Sequence, residues 1–292
     1  MSTRSITAGF DDFHARLTPS DGESLAAASH RATIKSCVER NFGLNRFFRS
    51  GSFGSGTSIS GFSDVDYIAS VPNKSLKANS STTLGQFRQA FETTFPRTGV
   101  FVDSPAIVLP FGTDKKETTE VVPADFITNT AAGFAIYDIA DGHGGWMRSS
   151  PEAHNAYVTT VNKDKNFKVK PLVRFLKAWK FYNNVPISSF YLEMRVAKYA
   201  SGETTIVYDI DVKNVFKLLY DNDLAMMRDP TGVAGYIEPC RSDADYKEAM
   251  SKLSTAYGRA LKAREAEMDH NTSLAFDWWN KLYSGHFPGY YY

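Results

Sequence analysis

The chain has 292 residues, of which 42% are hydrophobic and 22% are charged, as is usual for a globular protein with one large or two modest domains. Its net charge of +1 argues against obligatory binding to a nucleic acid, and its two distant cysteines argue against a disulfide scaffold or a structural zinc site. No apolar run is long enough to cross a membrane and Met1–Asp21 has no hydrophobic signal core, so we expect a cytoplasmic protein that does not bind membranes.

The first half of the chain is predicted to mix helices with strands. A capping box and apolar residues at helical spacing predict a helix over about residues 22 to 43. The bulky segment Asn45–Arg49 predicts a short buried strand, and a second strand is expected at Asp64–Val71. Between them, the glycine- and serine-rich run Gly51–Thr57 must turn. After a polar loop, apolar residues about one turn apart predict a helix from Leu84 to Pro96.

Two further strand-like runs follow this helix. They cover residues 100 to 109 and Glu120–Pro123, and the charged turn between them favours a hairpin. The glycine-rich segment from Phe126 to Pro151, with His143 near its centre, is expected to be a long irregular loop. Loops of this length are uncommon in compact domains unless they cover a site or bind a ligand.

From Pro151 onward the sequence pattern is helical. The predicted helices cover about residues 152–162, 171–183, 188–200, 210–221, 243–268 and 272–284. In the longest helix, an apolar stripe is expected to pack in the core, and it consists of Tyr246, Met250, Leu253, Tyr257 and Leu261. We therefore predict an α+β chain with a mixed-sheet domain at residues 1–165 and a helical domain at residues 166–292.

The strongest indication of chemistry lies around the first turn. Gly51-Ser52 opens a run whose backbone amides could cradle phosphates. Asp64 and Asp66 are two apart on a predicted strand, so both carboxylates leave the same face. Two adjacent anions repel unless a cation lies between them, which favours a divalent metal. Either feature alone is more often a linker or a solvated strand edge, but in this order and spacing they indicate phosphate chemistry.

Gly51-Ser52, followed by Thr57 and then by Ser63-Asp64-Val65-Asp66, resembles the signature of the DNA polymerase β-like nucleotidyltransferases. Within them, the sequence is most similar to the bacterial relatives of cyclic GMP-AMP synthase and oligoadenylate synthase, the CD-NTases. The resemblance covers about residues 25 to 285. It implies a polymerase β-like core, made of a mixed sheet with helices, followed by a helical domain that closes over the active-site cleft.

The resemblance also implies a third metal-binding carboxylate on a neighbouring strand. The family commonly has Asp-Val-Val-Pro-Ala there, which matches Glu120–Ala124 with glutamate in place of the usual aspartate. Because glutamate is still an oxygen ligand, we expect activity with a shifted ligand geometry. Asp125 is a reserve candidate, although its odd offset from Glu120 turns it to the other face of a regular strand.

Two later segments, Val173–Lys180 and Ser188–Glu193, resemble the nucleotide-facing helices of the CD-NTases. Carried over to this chain, Lys177 would contact the triphosphate and Ser189 would hydrogen-bond it. In the same family Ser52 lies against the terminal phosphates, and Phe190 could stack on a base. The plainer alternatives are a solvated lysine on a helix surface and an aromatic residue in the core.

The activity implied by the resemblance is the condensation of nucleoside triphosphates into a cyclic di- or trinucleotide, with release of pyrophosphate. Asp64, Asp66 and Glu120 would hold Mg²⁺, with Mn²⁺ as a substitute, to activate the attacking ribose hydroxyl. The residues that would bind the nucleotide are Gly51, Ser52, Lys177 and Ser189. The resemblance further implies bacterial antiphage (CBASS) signalling through an effector protein that binds the product, and we expect the enzyme to be a monomer.

Two other functions stay open at this point. One is transfer of a single nucleotide to an RNA end, a small molecule or a protein, although the near-neutral charge argues against a long RNA acceptor. The other is a non-catalytic nucleotide sensor, for which the unusual Glu120 is the one indication. No motif specifies the bases, the 2′ or 3′ linkage, the ring size or the trigger for activity.

Overall fold

A computed structural model describes residues 2–20, 30–62, 64–112 and 117–291. The chain forms two compact units. Unit 1 comprises residues 1–18, 157–230 and 236–292, and unit 2 comprises residues 19–156 and 231–235. This division differs from the predicted one at residue 165 in two ways. It falls at residue 156, and residues 1–18 belong to the helical unit rather than to the unit that contains the sheet.

Unit 2 is built on a mixed seven-stranded sheet. Its strands are β1 (Arg46–Arg49), β2 (Val65–Ser70), β3 (Phe101–Asp103), β4 (Ala106–Phe111), β5 (Glu117–Asn129), β6 (Ala135–Ala140) and β7 (Trp146–Ser149). Neighbouring strands follow the order β1-β2-β5-β4-β3, while β6 pairs with β5 and with β7. The β2 and β5 strands run parallel, and the other neighbours are antiparallel.

Helices surround the sheet in unit 2 and make up most of unit 1. In chain order they are α1 (Ile6–Leu17), α2 (Arg31–Phe42), α3 (Gly51–Ser55), α4 (Ser80–Thr94), α5 (Pro151–Asp164), α6 (Val169–Tyr182), α7 (Ser189–Gly202), α8 (Tyr208–Asp221), α9 (Asp243–Met268) and α10 (Thr272–Leu282). A small antiparallel pair, β8 (Met227–Arg228) and β9 (Tyr236–Ile237), lies between α8 and α9 in sequence. Within the described residues, none of these helices has both the length and the hydropathy needed to cross a membrane.

The sheet buries apolar side chains on both of its faces, because strand residues alternate between the faces. One face packs against α2 and α4, and its buried strand residues include Val65, Tyr67, Ala69, Ile107, Leu109 and Val121. The other buries Ile68, Ala106, Val122, Ala124 and Tyr137. Asp66 and Glu120 alternate with the first set, so they lie on the second face, which we call the carboxylate face.

Side-chain caps set the beginnings of several helices. The Asn79 side chain accepts a hydrogen bond from the Thr82 amide at the start of α4. Ser188 does the same for the Tyr191 amide at the start of α7. Each cap satisfies a backbone N–H that the first helical turn leaves without an intrahelical partner. The cap at Asn79 explains why α4 begins four residues before the predicted start at Leu84.

Most predicted elements are present, with boundaries that differ by a few residues. The strand before Gly51, the strand after Asp64 and the six helices beyond Pro151 are confirmed. The predicted helix over residues 22 to 43 corresponds to α2, which begins at Arg31, and the part of the prediction at residues 22–29 lies outside the described residues. Helix α1 was not predicted from the sequence, and it belongs to unit 1.

The expectation of a long irregular loop from Phe126 to Pro151 is wrong. Strand β5 continues to Asn129, and β6 and β7 follow it as an antiparallel meander. The glycines mark the short turns rather than a loop, since the Gly133 amide bonds the Thr130 carbonyl at 2.9 Å and the Gly145 amide bonds Asp141 Oδ1 at 2.9 Å. His143 lies in the second turn, where its amide also bonds Asp141 Oδ1.

The buried face of α9 agrees with the predicted stripe at Leu253 and differs from it at the other four positions. The buried residues of this helix are Ala249, Leu253, Ala256, Ala260, Ala263 and Ala266. Leu261 is 38% exposed, and Tyr246, Met250 and Tyr257 are only half-buried. Small alanines let neighbouring helices approach closely, whereas the larger residues cover the edges of the contact.

The C-terminal aromatic segment, whose role the sequence leaves open, packs within unit 1. The Phe287 side chain is buried, with its ring 5.1 Å from that of Phe10. The Arg4 guanidinium donates to the carbonyls of Gly289 and Tyr291 at 2.7 and 2.9 Å. The segment therefore covers α1 rather than projecting as a tail.

Candidate active site

The core of the site is a pair of carboxylates on adjacent parallel strands. In the register of β2 and β5, Asp66 is the direct partner of Glu120. Asp64 precedes the first residue of β2 and is exposed. Directly opposed residues on neighbouring strands point to the same face of a sheet, so Asp66 and Glu120 lie side by side. The two sequence motifs that contain Asp66 and Glu120 are therefore brought together on the carboxylate face.

Gly51 lies against one of these carboxylates. Its backbone has a φ of +57°, a conformation that favours glycine. A Cβ atom at this position would overlap Oδ2 and Cγ of Asp66 and would lie 2.8 Å from the Asp66 Cβ. The Ser50 amide also donates to the Asp66 carbonyl at 2.8 Å. The glycine thus allows the turn after β1 to pack directly on β2.

The run after Gly51, predicted as a turn, forms the single-turn helix α3 and a closed loop. Gly56 ends the helix in the left-handed conformation, and the Thr57 amide donates back to the Ser52 carbonyl at 2.9 Å. The buried hydroxyls of Ser55 and Thr57 are 2.9 Å apart. Ser52 itself is half-buried. These bonds hold Ser52 near Asp66, because the Ser50 amide at the start of the turn is bonded to the Asp66 carbonyl.

Crowding of negative charge changes the protonation of Glu120. Burial, followed by the charges of Asp66, Asp64 and Asp103, raises the pKa of Glu120 to about 8. The side chain also shares a hydrogen bond with Asp66, which stabilises the protonated form. Among these neighbours Asp103, on the edge strand β3, is a residue that sequence reasoning missed. A cation bound at this position would relieve the repulsion.

The donors fit a hard divalent cation. Asp64, Asp66 and Glu120 provide carboxylate oxygens, which Mg²⁺ and Mn²⁺ prefer, and their mutual repulsion is the expected property of such a site without its ion. Within residues 2–20, 30–62, 64–112 and 117–291, no three His, Cys, Asp or Glu side chains are already placed as a metal-binding group.

Asp125, the reserve candidate for the third carboxylate, lies elsewhere. The β2 pairing with β5 ends at Ala124, so Asp125 is beyond the end of β2 and opposite Asp138 of β6. Its Oδ2 accepts a hydrogen bond from Asn73 Nδ2 at 2.5 Å. The structure therefore brings Glu120, and not Asp125, beside Asp66.

The predicted phosphate-binding residues of the helical half belong to unit 1. Lys177 is 2% exposed, and its Nζ lies 2.7 Å from Glu193 Oε2. Ser189 begins α7, and its hydroxyl accepts a hydrogen bond from Lys180 Nζ at 2.6 Å. Sequence reasoning missed Lys180 because lysines on a helix surface are usually solvated. The sequence did indicate Lys180 through its position three residues, or about one helical turn, after Lys177.

The sequence matches a known protein family and two curated relatives. Residues 1–162 match the family model described as "Second Messenger Oligonucleotide or Dinucleotide Synthetase domain" (SMODS). This chain belongs to the SMODS family. A probable cyclic nucleotide synthase from Bacillus cereus (strain VD146) is 25% identical to this SMODS protein over 177 residues, which are 58% of this chain and 51% of the relative. A cyclic AMP-AMP-AMP synthase from Acinetobacter sp. (strain ATCC 27244 / 9458) is 28% identical over 186 residues, which are 60% of this chain and 52% of the relative. The chain spans about half the length of these curated relatives.

Solved structures show that the SMODS chain shares its fold with CD-NTases. Escherichia coli MS115-1 CdnC with ATP superposes with a TM-score of 0.72 at 15% identity, over 96% of this chain and 98% of that one. Escherichia coli DncV with 3′-deoxy GTP gives a TM-score of 0.63 at 14% identity, over 95% of this chain and 87% of that one. The predicted α+β fold with a polymerase β-like core is thereby confirmed, as is the resemblance to the CD-NTases.

Proposed function

We propose that this SMODS chain is a metal-dependent nucleotidyltransferase that condenses nucleoside triphosphates into a cyclic di- or trinucleotide and releases pyrophosphate. The observation that carries the proposal is the in-register pair Asp66 and Glu120 on parallel strands, with Gly51 packed against Asp66. Family membership and the two bacterial relatives named as cyclic nucleotide synthases support the same activity.

In this proposal the metal ligands are Asp64, Asp66 and Glu120. The ion is Mg²⁺, with Mn²⁺ as a substitute, because both accept carboxylate oxygens. When bound, the cation supplies charge neutralisation to the triphosphate and lowers the pKa of the attacking ribose hydroxyl. We assign the third position to Glu120 rather than Asp125 because Glu120 is opposite Asp66 in the sheet register.

The reaction forms one bond and breaks another at the same phosphorus atom. The ribose oxygen of one nucleotide attacks the α-phosphorus of a second, the hydroxyl proton passes to water, and the bond from the α-phosphorus to the oxygen that bridges it to the β-phosphate breaks to release pyrophosphate. A further transfer of the same kind closes the ring. Such transfers depend mainly on positioning and charge neutralisation. Gly51 and Ser52 would hold the donor triphosphate beside Asp66, since their turn is anchored to β2.

In unit 1, we propose that Ser189 hydrogen-bonds the triphosphate and that lysines of α6 supply positive charge. Lys177 is buried against Glu193, so contact with a phosphate would require it to leave that carboxylate. Lys180 is less buried and already bonds Ser189. A phosphate oxygen could replace the Ser189 hydroxyl as its partner.

The partners follow from the proposed activity. Structures of similar proteins contain nucleotides, such as ATP in CdnC and GTP with Apcpp in CdnE from Elizabethkingia meningoseptica, and one CdnC structure is a complex with a HORMA protein. For this chain we propose nucleoside triphosphates as substrates and an effector protein that binds the cyclic product. We further propose that the chain acts as a monomer in the bacterial cytoplasm, in antiphage signalling of the CBASS type.

The test is to incubate the purified protein with all four nucleoside triphosphates and Mg²⁺ or Mn²⁺. After phosphatase treatment, mass spectrometry should identify a resistant cyclic oligonucleotide and name its bases. The double variant Asp64→Asn/Asp66→Asn should make none. Glu120→Gln should lose at least about 100-fold in rate if it holds the catalytic ion.

Asp125→Asn is the matched control, because it changes another carboxylate of the same strand that is bonded to Asn73 instead. It should keep the wild-type rate within about twofold. Radiolabel on an added RNA, protein or small molecule, without a cyclic product, would favour single-nucleotide transfer. Nucleotide binding without turnover in either metal would favour a sensor.

A further inference from the structure

The carboxylate face continues beyond the metal-binding pair as a straight row of residues. Glu120 is the direct partner of Asp66 on one side and of Val108 in β4 on the other. Val108 is in turn the partner of Phe101 in the edge strand β3. Directly opposed residues share a face, so all four side chains point to the carboxylate side of the sheet. The row leads from the carboxylates to an aromatic ring.

Phe101 ends this row with much of its ring accessible. Its side chain is 46% exposed, whereas Val108 beside it is only 4% exposed. Two strand spacings place the Phe101 backbone about 10 Å from that of Glu120. Phe101 makes no aromatic ring contact with the residues that the structure describes, so no neighbouring ring in that part of the chain covers its exposed surface.

The geometry of phosphoryl transfer places the acceptor nucleotide on the same side of the metal-binding pair as Phe101. The turn at Gly51 and Ser52, which would hold the donor triphosphate, packs on β2 at the opposite end of the row. In an in-line displacement the attacking oxygen approaches the phosphorus from the side away from the leaving pyrophosphate. With the pyrophosphate near α3, the nucleotide that attacks must come over β5, β4 and β3. Its base, on the far side of the ribose from the attacking hydroxyl, then lies towards Phe101.

We propose that Phe101 is the platform on which the base of the acceptor nucleotide stacks. This inference rests on the proposed nucleotidyltransferase activity. Base stacking on an exposed aromatic ring tolerates any of the four bases, because every base has a π-face. Phe101 would therefore hold the acceptor in place without choosing its identity. It is a substrate-binding residue, distinct from the metal ligands.

The first experiment measures initial rates while each nucleoside triphosphate is varied in turn. Phe101→Ala should raise KM for the acceptor nucleotide about tenfold, the usual cost of losing one stacked base, while kcat stays within about twofold. Phe101→Trp should keep the wild-type KM, and Phe101→Leu should behave as the alanine variant if a ring rather than apolar bulk is required. Phe126→Ala is the matched control, because Phe126 is also 46% exposed and lies in the same sheet, six residues beyond Glu120. It should leave KM unchanged.

The second experiment does not need turnover. Wild-type protein is photolabelled with 8-azido-ATP and 8-azido-GTP in the presence of Mg²⁺, digested and mapped by mass spectrometry. We expect label on the peptide that contains Phe101 and loss of that label in Phe101→Ala.

Label confined to other peptides, or an unchanged KM in Phe101→Ala, would overturn the proposal while leaving a synthase that makes product intact. Label at Phe101 without any product would instead refute the proposed activity and support the stacking site. An absence of label on every peptide would overturn the stacking site.

Discussion

At position 51, backbone conformation and packing each require glycine. The φ of +57° is strained for any residue with a side chain, and a Cβ would overlap the Asp66 carboxylate. We therefore expect Gly51→Ala to displace Asp66, reduce product formation by at least about 100-fold and lower the thermal midpoint. Product yield by mass spectrometry and unfolding by circular dichroism test the two effects together.

A suitable control for Gly51→Ala is Gly133→Ala. Gly133 also has a positive φ, of +86°, but a Cβ there meets nothing within 4 Å. This variant should lose only about 1 kcal/mol of unfolding free energy through backbone strain, and it should retain full activity. Equal losses of activity in both variants would show that the overlap with Asp66 is not the cause.

The carboxylate pair should make stability depend on pH. Glu120 has a folded pKa of about 8, above the ordinary value of 4.5. The folded state therefore holds a proton that the unfolded state releases, so stability without metal should fall as pH rises from about 4.5 to about 8. The loss should be at most about 1.4 kcal/mol per pH unit.

Urea denaturation in EDTA across this pH range measures the effect. Glu120→Gln, which cannot ionise, should remove much of the slope and be the more stable protein at pH above 8. Addition of Mg²⁺ should stabilise the wild type more than the variant. A slope that is the same in both proteins would place the titrating group elsewhere.

The residues that we propose as metal ligands could be selected from the sequence, whereas their immediate surroundings could not. Spacing and resemblance identify Asp64, Asp66 and Glu120 before any fold is known. The contribution of Asp103 depends on where β3 pairs, and that pairing is not encoded near either motif. The same holds for the salt bridge between Lys177 and Glu193, which joins two different helices.

At the scale of elements, α9 packs in unit 1 through a face made largely of alanines. Ala260 is fully buried, while the adjacent Leu261 is 38% exposed. We expect Ala260→Leu to destabilise the protein by about 1–3 kcal/mol, because three added carbons have no space at a close helix contact. Leu261→Ala should change stability by less than about 0.5 kcal/mol. Urea denaturation of both variants tests this. A larger loss of stability in Leu261→Ala than in Ala260→Leu would indicate that Leu261 packs in the core as the sequence predicted.

The elements themselves show which sequence signals are reliable. The helices beyond Pro151 were predictable because each has an apolar period and clear ends. The β6 and β7 strands were missed because each is short and follows a glycine-containing turn, which favours a loop interpretation. In α9 the burial of Leu253 was predicted correctly, but four other large residues were chosen in place of the alanines at helical spacing that form the rest of the buried face.

At the scale of the whole molecule, unit 1 is assembled from both ends of the chain. Phe10 of α1 is fully buried, with its ring about 5 Å from the rings of Phe175, Trp279 and Phe287. Phe10→Ala should therefore destabilise unit 1 by about 3–5 kcal/mol. Hydrogen exchange should show faster exchange in α6 and α10, while the β2 and β5 amides keep their protection.

Phe87→Ala gives the reciprocal control. Phe87 is equally buried but belongs to the core of unit 2. Its replacement should accelerate exchange in α4 and in the sheet and leave α10 protected. If both variants loosened every element equally, the two units would unfold as one. The discontinuity of unit 1 was not predictable from local signals, because the partners of α1 are more than a hundred residues away.

The assignment of residues 1–18 to unit 1 also orders events during synthesis. Helix α1 is synthesised before unit 2, whereas Phe287, whose ring packs on Phe10 and Phe13, is synthesised after it. All of unit 2 can fold in the interval, which lasts on the order of ten seconds at ribosomal rates. Until then α1 exposes an apolar surface that chaperones recognise. The nascent chain can therefore form the sheet that carries Asp66 and Glu120 before unit 1 is complete, so partly made chains would have the proposed metal ligands without a folded unit 1.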